Sequence, residues 1–406
     1  VGTHPPVRDW RADFDHTDAA WTADPFPIWD ELRATCPVAH TERYGGAWLP
    51  VRHADVAAVA YDTEHFTSRG VVMSDNRPGD EDLPAPIGPA PPITSDPPFH
   101  ALARRMLLPP FSPRPIAALE PFTRATCDEL LDGIAGSPDG LADAATQYAQ
   151  HIPVRVIAKM LGFPVEDADD FRRWIKVILE DVDLPLEQRE ERFEELQAYL
   201  DARIAEHVSE PRDDLTSYLL AAELDGQRLA PEVVRGVTLL LMVAGIDTTW
   251  SAIGASLWHL ASHPDDRARL AADPGSIDVA VEELLRAYAP VTMARIVAEE
   301  TELGDRTLHP GDWLLLPFPA ANRDPAVFER ADEVLLDRAV NRHAAFGLGI
   351  HRCLGSNLAR MELRVAIEAW MARFADFTLV DPTAVTWSTG QVRGPRSIPV
   401  RLTPGA

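Results

Sequence analysis

The chain has 406 residues, 46% of them hydrophobic and 25% charged, an ordinary globular composition with room for one large domain or two average ones. A formal net charge of −25 would be repelled by phosphates, which excludes non-specific attachment to nucleic acid or to an anionic lipid surface. Three scattered cysteines, Cys36, Cys127 and Cys353, are too few for a disulfide framework or a four-thiolate metal site.

The opening VGTHPPVRDWRADFDHT lacks the basic start, apolar stretch and small-residue cleavage site of a secretory signal. The longest apolar run, VTLLLMVAGI at 237–246, stops at Asp247, short of the roughly 20 residues of a membrane span. A cytoplasmic protein without membrane or nucleic-acid partners is expected. WLPVR at 48–52 alternates and predicts an edge strand before a helix over 54–61. From Arg77 to Pro98, RPGDEDLPAPIGPAPPITSDPP is rich in proline, which fixes φ and removes donors; a long loop is predicted, either a lid or binding loop or a disordered segment. Helical patterns follow at 116–135, 142–162, 166–182 and 187–209.

PEVVRGVTLLLMVAGIDTTWSAIGASLWHLAS at 231–262 begins with proline and glutamate, which suits a helix start. Its apolar residues cover nearly every face around Leu239 to Ala244, so a helix about 48 Å long and buried on all sides is predicted. Inside it sits AGIDTT, a group of poor helix formers in the driest part of the chain. By itself this has a structural explanation: Thr248 bonding back to a carbonyl one turn earlier, and Asp247 pairing with an arginine. Helices at 264–272 and 276–288 follow, the second placing Glu283 and Arg286 three apart on one face. Strand-like MARIVA and WLLLP lead to AANRDPAVF and an irregular stretch. No repeat or linker interrupts the chain, so residues 1–406 read as a single domain, mainly α with a smaller β part.

Residues 345–360, AFGLGIHRCLGSNLAR, pack glycines around one cysteine just ahead of a helix. Gly347 and Gly349 allow a tight turn close to a flat ligand, and Gly355 a further close approach. The unpaired N–H groups of the helix start favour a Cys353 thiolate, suited to a metal.

The run from Phe346 to Gly355, F-G-x-G-x-H-x-C-x-G, resembles the haem-binding signature of the cytochrome P450 family. Four further motifs occur in the family's order: HxxxR at His100 and Arg104, AGxDT at 244–248, ExxR at 283–286 and NRDP at 322–325. The resemblance implies a cytochrome P450-like fold, with the long central helix over a buried haem b (iron protoporphyrin IX), and a monooxygenase. Such an enzyme inserts one atom of O2 into a small, largely apolar molecule, by hydroxylation or oxidative dealkylation. Cys353 would be the axial thiolate, with Phe346 beside the sulfur, and His100, Arg104, Arg295 and His351 on the haem propionates. Ala244, Gly347 and Gly355 fall at haem-contact positions. Glu283 and Arg286, with Arg338 as third member, would brace the cysteine side.

Reducing dioxygen takes two protons as well as two electrons, and a buried apolar pocket cannot supply protons unaided. Asp247 and Thr248 match the family's acid and alcohol, linking to solvent and ordering water. Gly245 would leave room there, with an unwound turn. Val243, Ala244, Val291, Met293 and Val392 match pocket positions, mostly apolar, with the proline-rich loop and the 166–209 helices as a roof. No Rossmann fingerprint or ferredoxin-like cysteine series is present, so NAD(P)H electrons would arrive through ferredoxin and its reductase, or a flavin/iron–sulfur reductase, separate or fused. Among Arg338, Arg342, Arg352, Arg360 and Arg364, faced by the single acid Glu362, Arg352 and Arg364 are the expected docking contacts. Two rivals share the ligand set: a haem-thiolate enzyme that rearranges or consumes peroxides, and a haem-based gas sensor. Neither needs the acid and alcohol pair.

Overall fold

The computed structural model describes residues 4–403 except 76, 78, 80–82, 84–88, 138, 181–183, 185 and 225. Helices form its bulk. The central helix, Pro231–Ser262, starts where Ala230 is still extended and Pro231 takes the first turn, and it stops at His263, ahead of Pro264. Its middle is apolar all round because it has neighbours all round: His151–Leu161, Ala168–Leu179, Leu186–Ser209 and Ser356–Arg373 pack against it. By length and composition it could cross a membrane, but most of that stretch is covered by the protein itself. The helix runs unbroken through Gly245–Thr249, so the expected unwound turn is absent. Gly245 serves packing instead: a Cβ there would lie 2.5 Å from Ile157 Cδ1 on the crossing helix.

The β part is small and positioned by burial. A five-stranded sheet has the order Val38–Thr41, Ala47–Pro50, Trp313–Pro317, Thr292–Val297, Phe66–Thr67, antiparallel except where Ala47–Pro50 meets Trp313–Pro317. The WLPVR strand is therefore internal, not an edge, because WLLLP adds to its open side. WLLLP is apolar at every position because both its faces are covered. Trp313 and Leu315 pack with Phe14 and Trp29 on one side; Leu314 and Leu316 pack with Val56 and Phe318 on the other.

The expected helix over 142–162 divides. Leu141–Asp143 is a strand paired with Pro399–Arg401, Ala145–Ala149 is a π-turn, and only His151–Leu161 is α-helical. The 116–135 pattern likewise divides into Pro113–Ala117 and Glu120–Ala135. A helix not anticipated, Phe99–Leu107, follows the proline-rich stretch and carries His100 and Arg104 one turn apart. Much of that stretch lies outside the described residues, as do 181 and 182 at the end of the 166–182 helix.

Candidate active site

The cysteine loop is shaped by two left-handed glycines, Gly347 (φ 69°) and Gly349 (φ 66°). A Cβ on Gly349 would sit 2.1 Å from Ala60 O, so this turn can approach the end of helix His53–Tyr61 only as glycine. The Cys353 N–H then donates to Phe346 O at 2.6 Å, fixing the residue just before helix Ser356–Arg373. The Cys353 side chain is accessible, but to an internal cavity. Protein surrounding it pushes the thiol up, against the opposing Gly355 N–H, Arg104, Arg352 and Arg360. The Gly355 N–H at the helix start thus favours the thiolate, as expected, but burial outweighs it in the polypeptide alone.

The cavity holds about 1390 Å³ of empty space, part of it open to solvent. The cysteine loop closes one side, while Ala244, Gly245, Thr248 and Thr249 of the central helix face in from the other. Phe346, Gly347, Gly355, Val291 and Met293 line it as expected. Two expected pocket residues do not: Val243 packs into the helical core, and Val392 pairs with Val291 in an isolated bridge without reaching the cavity. Pro92 and Ile93 bring the proline-rich stretch to the wall. The helices Ala168–Leu179 and Leu186–Ser209 contribute no lining among the described residues, so the roof expected from them is not present.

Arg104, Arg295 and His351 also line the cavity. The Arg295 Nη1 donates to Ala294 O at 2.7 Å, and neither it nor Arg104 has a carboxylate partner among the described residues. Burial pushes Arg295 down to about 10 and His351 down to about 2, the latter helped by the neighbouring Arg295, His100 and Arg104. His100 does not line the cavity itself; its ring lies 4.4 Å from that of His351, and its buried Nε2 has no partner. Two arginines lining the cavity without a bonded carboxylate, Arg295 buried and Arg104 partly so, call for an anionic guest, and the two neutral imidazoles beside them offer further hydrogen bonds.

On the central helix, Asp247 is 1% exposed. Arg396 Nη2 donates to its Oδ1 at 2.7 Å, Arg396 Nη1 reaches Ser251 Oγ at 3.0 Å, and Arg396 Nε reaches Glu180 Oε1 at 2.6 Å. Asp247 Oδ2 has no partner. Burial pushes this carboxyl up to about 6, while Arg396 opposes and Glu180 adds to the shift. Thr248 Oγ1 donates to Ala244 O at 2.7 Å, so the back-bond and the cavity position occur together. Neither Arg396 nor Glu180 stood out in the sequence, where nothing distinguishes Arg396 from Arg393 or Arg401.

Glu283, Arg286 and Arg338 come together on the cysteine side. Arg286 Nε and Nη2 donate to the two Glu283 oxygens at 2.8 Å each, and Arg338 Nε donates to Oε2 at 2.9 Å. Burial would raise the Glu283 carboxyl, but these donors and the Leu335 N–H hold it below the usual range. Of the arginines near the cysteine, Arg360 binds Glu282 and stacks over Phe346. Arg364, expected to be a docking contact, is instead occupied by Glu120 and Glu368. Arg342 and Arg352 remain exposed and without a partner among the described residues.

A flat, doubly anionic macrocycle with a soft metal-binding sulfur beneath it fits this cavity, which defines a haem-thiolate protein. The family model "Cytochrome P450" matches residues 147–273 and 277–385. Mycinamicin IV hydroxylase/epoxidase of Micromonospora griseorubida is 35% identical, covering 91% of this chain and 94% of its own length. Vitamin D(3) 25-hydroxylase of Pseudonocardia autotrophica is 36% identical, with 94% of each covered. Among solved structures, a cytochrome P450 from Chondromyces apiculatus superposes with a TM-score of 0.85 at 34% identity, covering 97% of this chain and 99% of its own. The chain belongs to the cytochrome P450 family. It is a monooxygenase of small molecules that uses haem b and O2, with NAD(P)H electrons delivered by redox partners.

Proposed function

We propose that Cys353 holds the haem iron, that Arg104, Arg295, His100 and His351 hold the propionates, and that Asp247 and Thr248 handle protons for oxidation of a neutral, largely apolar substrate. The observation that carries this reading is the charge arrangement: Arg104 and Arg295, neither bonded to a carboxylate among the described residues, line the cavity that Cys353 faces, with His351 beside them and His100 behind it. The unpartnered His100 Nε2 is a donor or acceptor in search of such a group. Haem, when bound, supplies the activation of dioxygen.

The chain's own residues do the rest. Phe346 O fixes the Cys353 backbone, and Arg360 stacked 4.5 Å from the Phe346 ring centre holds that ring in place. Asp247 keeps one oxygen on Arg396 and the other unpartnered, which suits a group that accepts and releases a proton near pH 6. Arg396 and the partly exposed Glu180 extend the path toward solvent. Because the Thr248 hydroxyl hydrogen is used on Ala244 O, Thr248 acts as an acceptor, holding a water in the cavity by its lone pairs.

The relatives' names include mycinamicin IV and vitamin D(3), and the wall of Ile93, Leu240, Leu241, Val291 and Met293 supports a neutral molecule held by shape. Arg342 and Arg352 would steer an acidic ferredoxin, with the reaction located in the cytoplasm. The test is to load the protein with haem b, record the ferrous carbon monoxide spectrum, and screen neutral and charged small molecules for the low-spin to high-spin shift. A Soret band far to the red, with shifts confined to neutral molecules, is expected. A histidine-type band would overturn the ligand, and shifts only with ions would overturn the substrate class.

A further inference from the structure

Gln391 lies on a turn behind the cavity and is 8% exposed. All of its amide is used. The side-chain NH2 donates to Val71 O and to Thr292 O, both at 3.0 Å, and Oε1 accepts from the Met73 N–H at 2.5 Å. Its main-chain oxygen accepts from the Thr292 N–H at 2.8 Å, and the next residue forms the Val291–Val392 bridge. The turn itself is held by Ser388, whose hydroxyl donates to Val392 O at 2.6 Å and accepts from the Gly394 N–H at 2.9 Å.

These bonds fall where two chain segments part. Phe66–Thr67 pairs with Val297 and Ile296, and Ala294 N–H still donates to Val71 O at 3.2 Å. Beyond Val71 the first segment leaves to become the proline-rich stretch that returns to the cavity at Pro92 and Ile93. The other continues to Met293 and Val291, which also line the cavity. Between them the Gln391 amide takes the place of a peptide unit, with a donor to each side and one acceptor. Its reach sets the distance between the wall and the root of the loop.

We propose that Gln391 is a positioning residue for substrate, determining how bulky an organic molecule fits over Thr248. This rests on the haem-thiolate reading above. The probes are three azoles of rising size whose nitrogen binds haem iron: imidazole, 4-phenylimidazole and clotrimazole, titrated by their Soret shift on the haem-loaded protein. Gln391→Leu removes the side-chain partner of Thr292 O and of the Met73 N–H and leaves Val71 O only the Ala294 N–H, and Gln391→Asn keeps the chemistry but is one methylene too short to bridge both segments. Both variants should bind imidazole within about twofold of the native protein and clotrimazole weaker by about tenfold or more, with Gln391→Asn the milder. Equal changes for all three azoles, no change for any, or loss of haem from both variants would overturn the positioning role. Failure of imidazole to shift the Soret band of the native protein would overturn the haem-thiolate reading instead.

Discussion

Arg396 Nη2 binds Asp247 at 2.7 Å and lies 2.5 Å from Glu180, which Nε also reaches at 2.6 Å, so a single side chain joins the buried acid of the central helix to the end of helix Ala168–Leu179. The pH dependence follows from its charge. The Asp247 carboxyl titrates at about 6 in the fold against an ordinary 3.8, so the stability gained by keeping it neutral is complete below about pH 4 and is lost as pH rises through about 6. Replacing Arg396 by methionine removes the charge that opposes burial and moves the titration higher. The turnover limb near pH 6 should shift to higher pH in Arg396→Met; an unmoved limb would assign it to another group.

Thr248→Ala should bind substrate and consume NAD(P)H at a comparable rate, yet yield less product and more hydrogen peroxide, because it removes the hydroxyl lone pairs proposed to hold a water in the cavity. Thr248→Ser should restore most of the product. Tight coupling of NAD(P)H to product in the alanine variant would transfer the role to the neighbouring Thr249, which also lines the cavity.

Cys353→Ala should lose the red-shifted carbon monoxide band, while Cys36→Ala and Cys127→Ala keep it. Cys127 is fully buried in the helical core with its thiol pushed up to about 12, and Cys36 lies outside the cavity lining. A normal band in the Cys353 variant would remove it as the ligand.

Arg352→Glu should slow reduction by a ferredoxin without altering substrate affinity, and native reduction should slow with salt, since exposed charges are screened within about 8 Å at physiological ionic strength. Arg364→Glu should act through the fold instead, because it places a further carboxylate beside Glu120, Glu368 and Asp278; a lower Tm is expected. Equal kinetic defects and unchanged melting in both variants would return Arg364 to the docking face.

Glu362 is fully buried in helix Ser356–Arg373, and neither of its oxygens has a partner. Burial alone pushes its carboxyl well above 4.5, so its contribution is greatest in acid and declines as pH rises from there toward the folded value. Glu362→Gln carries no such slope. Urea unfolding should show the variant gaining on the native protein between pH 5 and pH 8; a constant difference would mean that Glu362 is not the titrating group.

Much of this protein is written in its local chemistry. Pro231, the apolar girdle and Pro264 set the central helix, because helix starts, stops and burial depend on residues within a turn or two. Glu283 and Arg286 are adjacent on one helical face wherever that helix goes, and the glycines around Cys353 require a turn whatever surrounds them. What remained illegible depends on residues distant in sequence. WLPVR looked like an edge because its second neighbour, WLLLP, comes more than half the chain later. Residues 141–143 fitted a helix until the C-terminal strand offered them a ladder. Gly245 looked like room for oxygen, and the crossing Ile157 gives it a packing reason. Local pattern states how many arginines and acids there are; only the folded chain decides which meet. Arg396 was therefore assigned to Asp247, Arg364 to Glu120, and Gln391 to the wall of the cavity by tertiary packing alone, where each buried polar group must find a partner or remain costly.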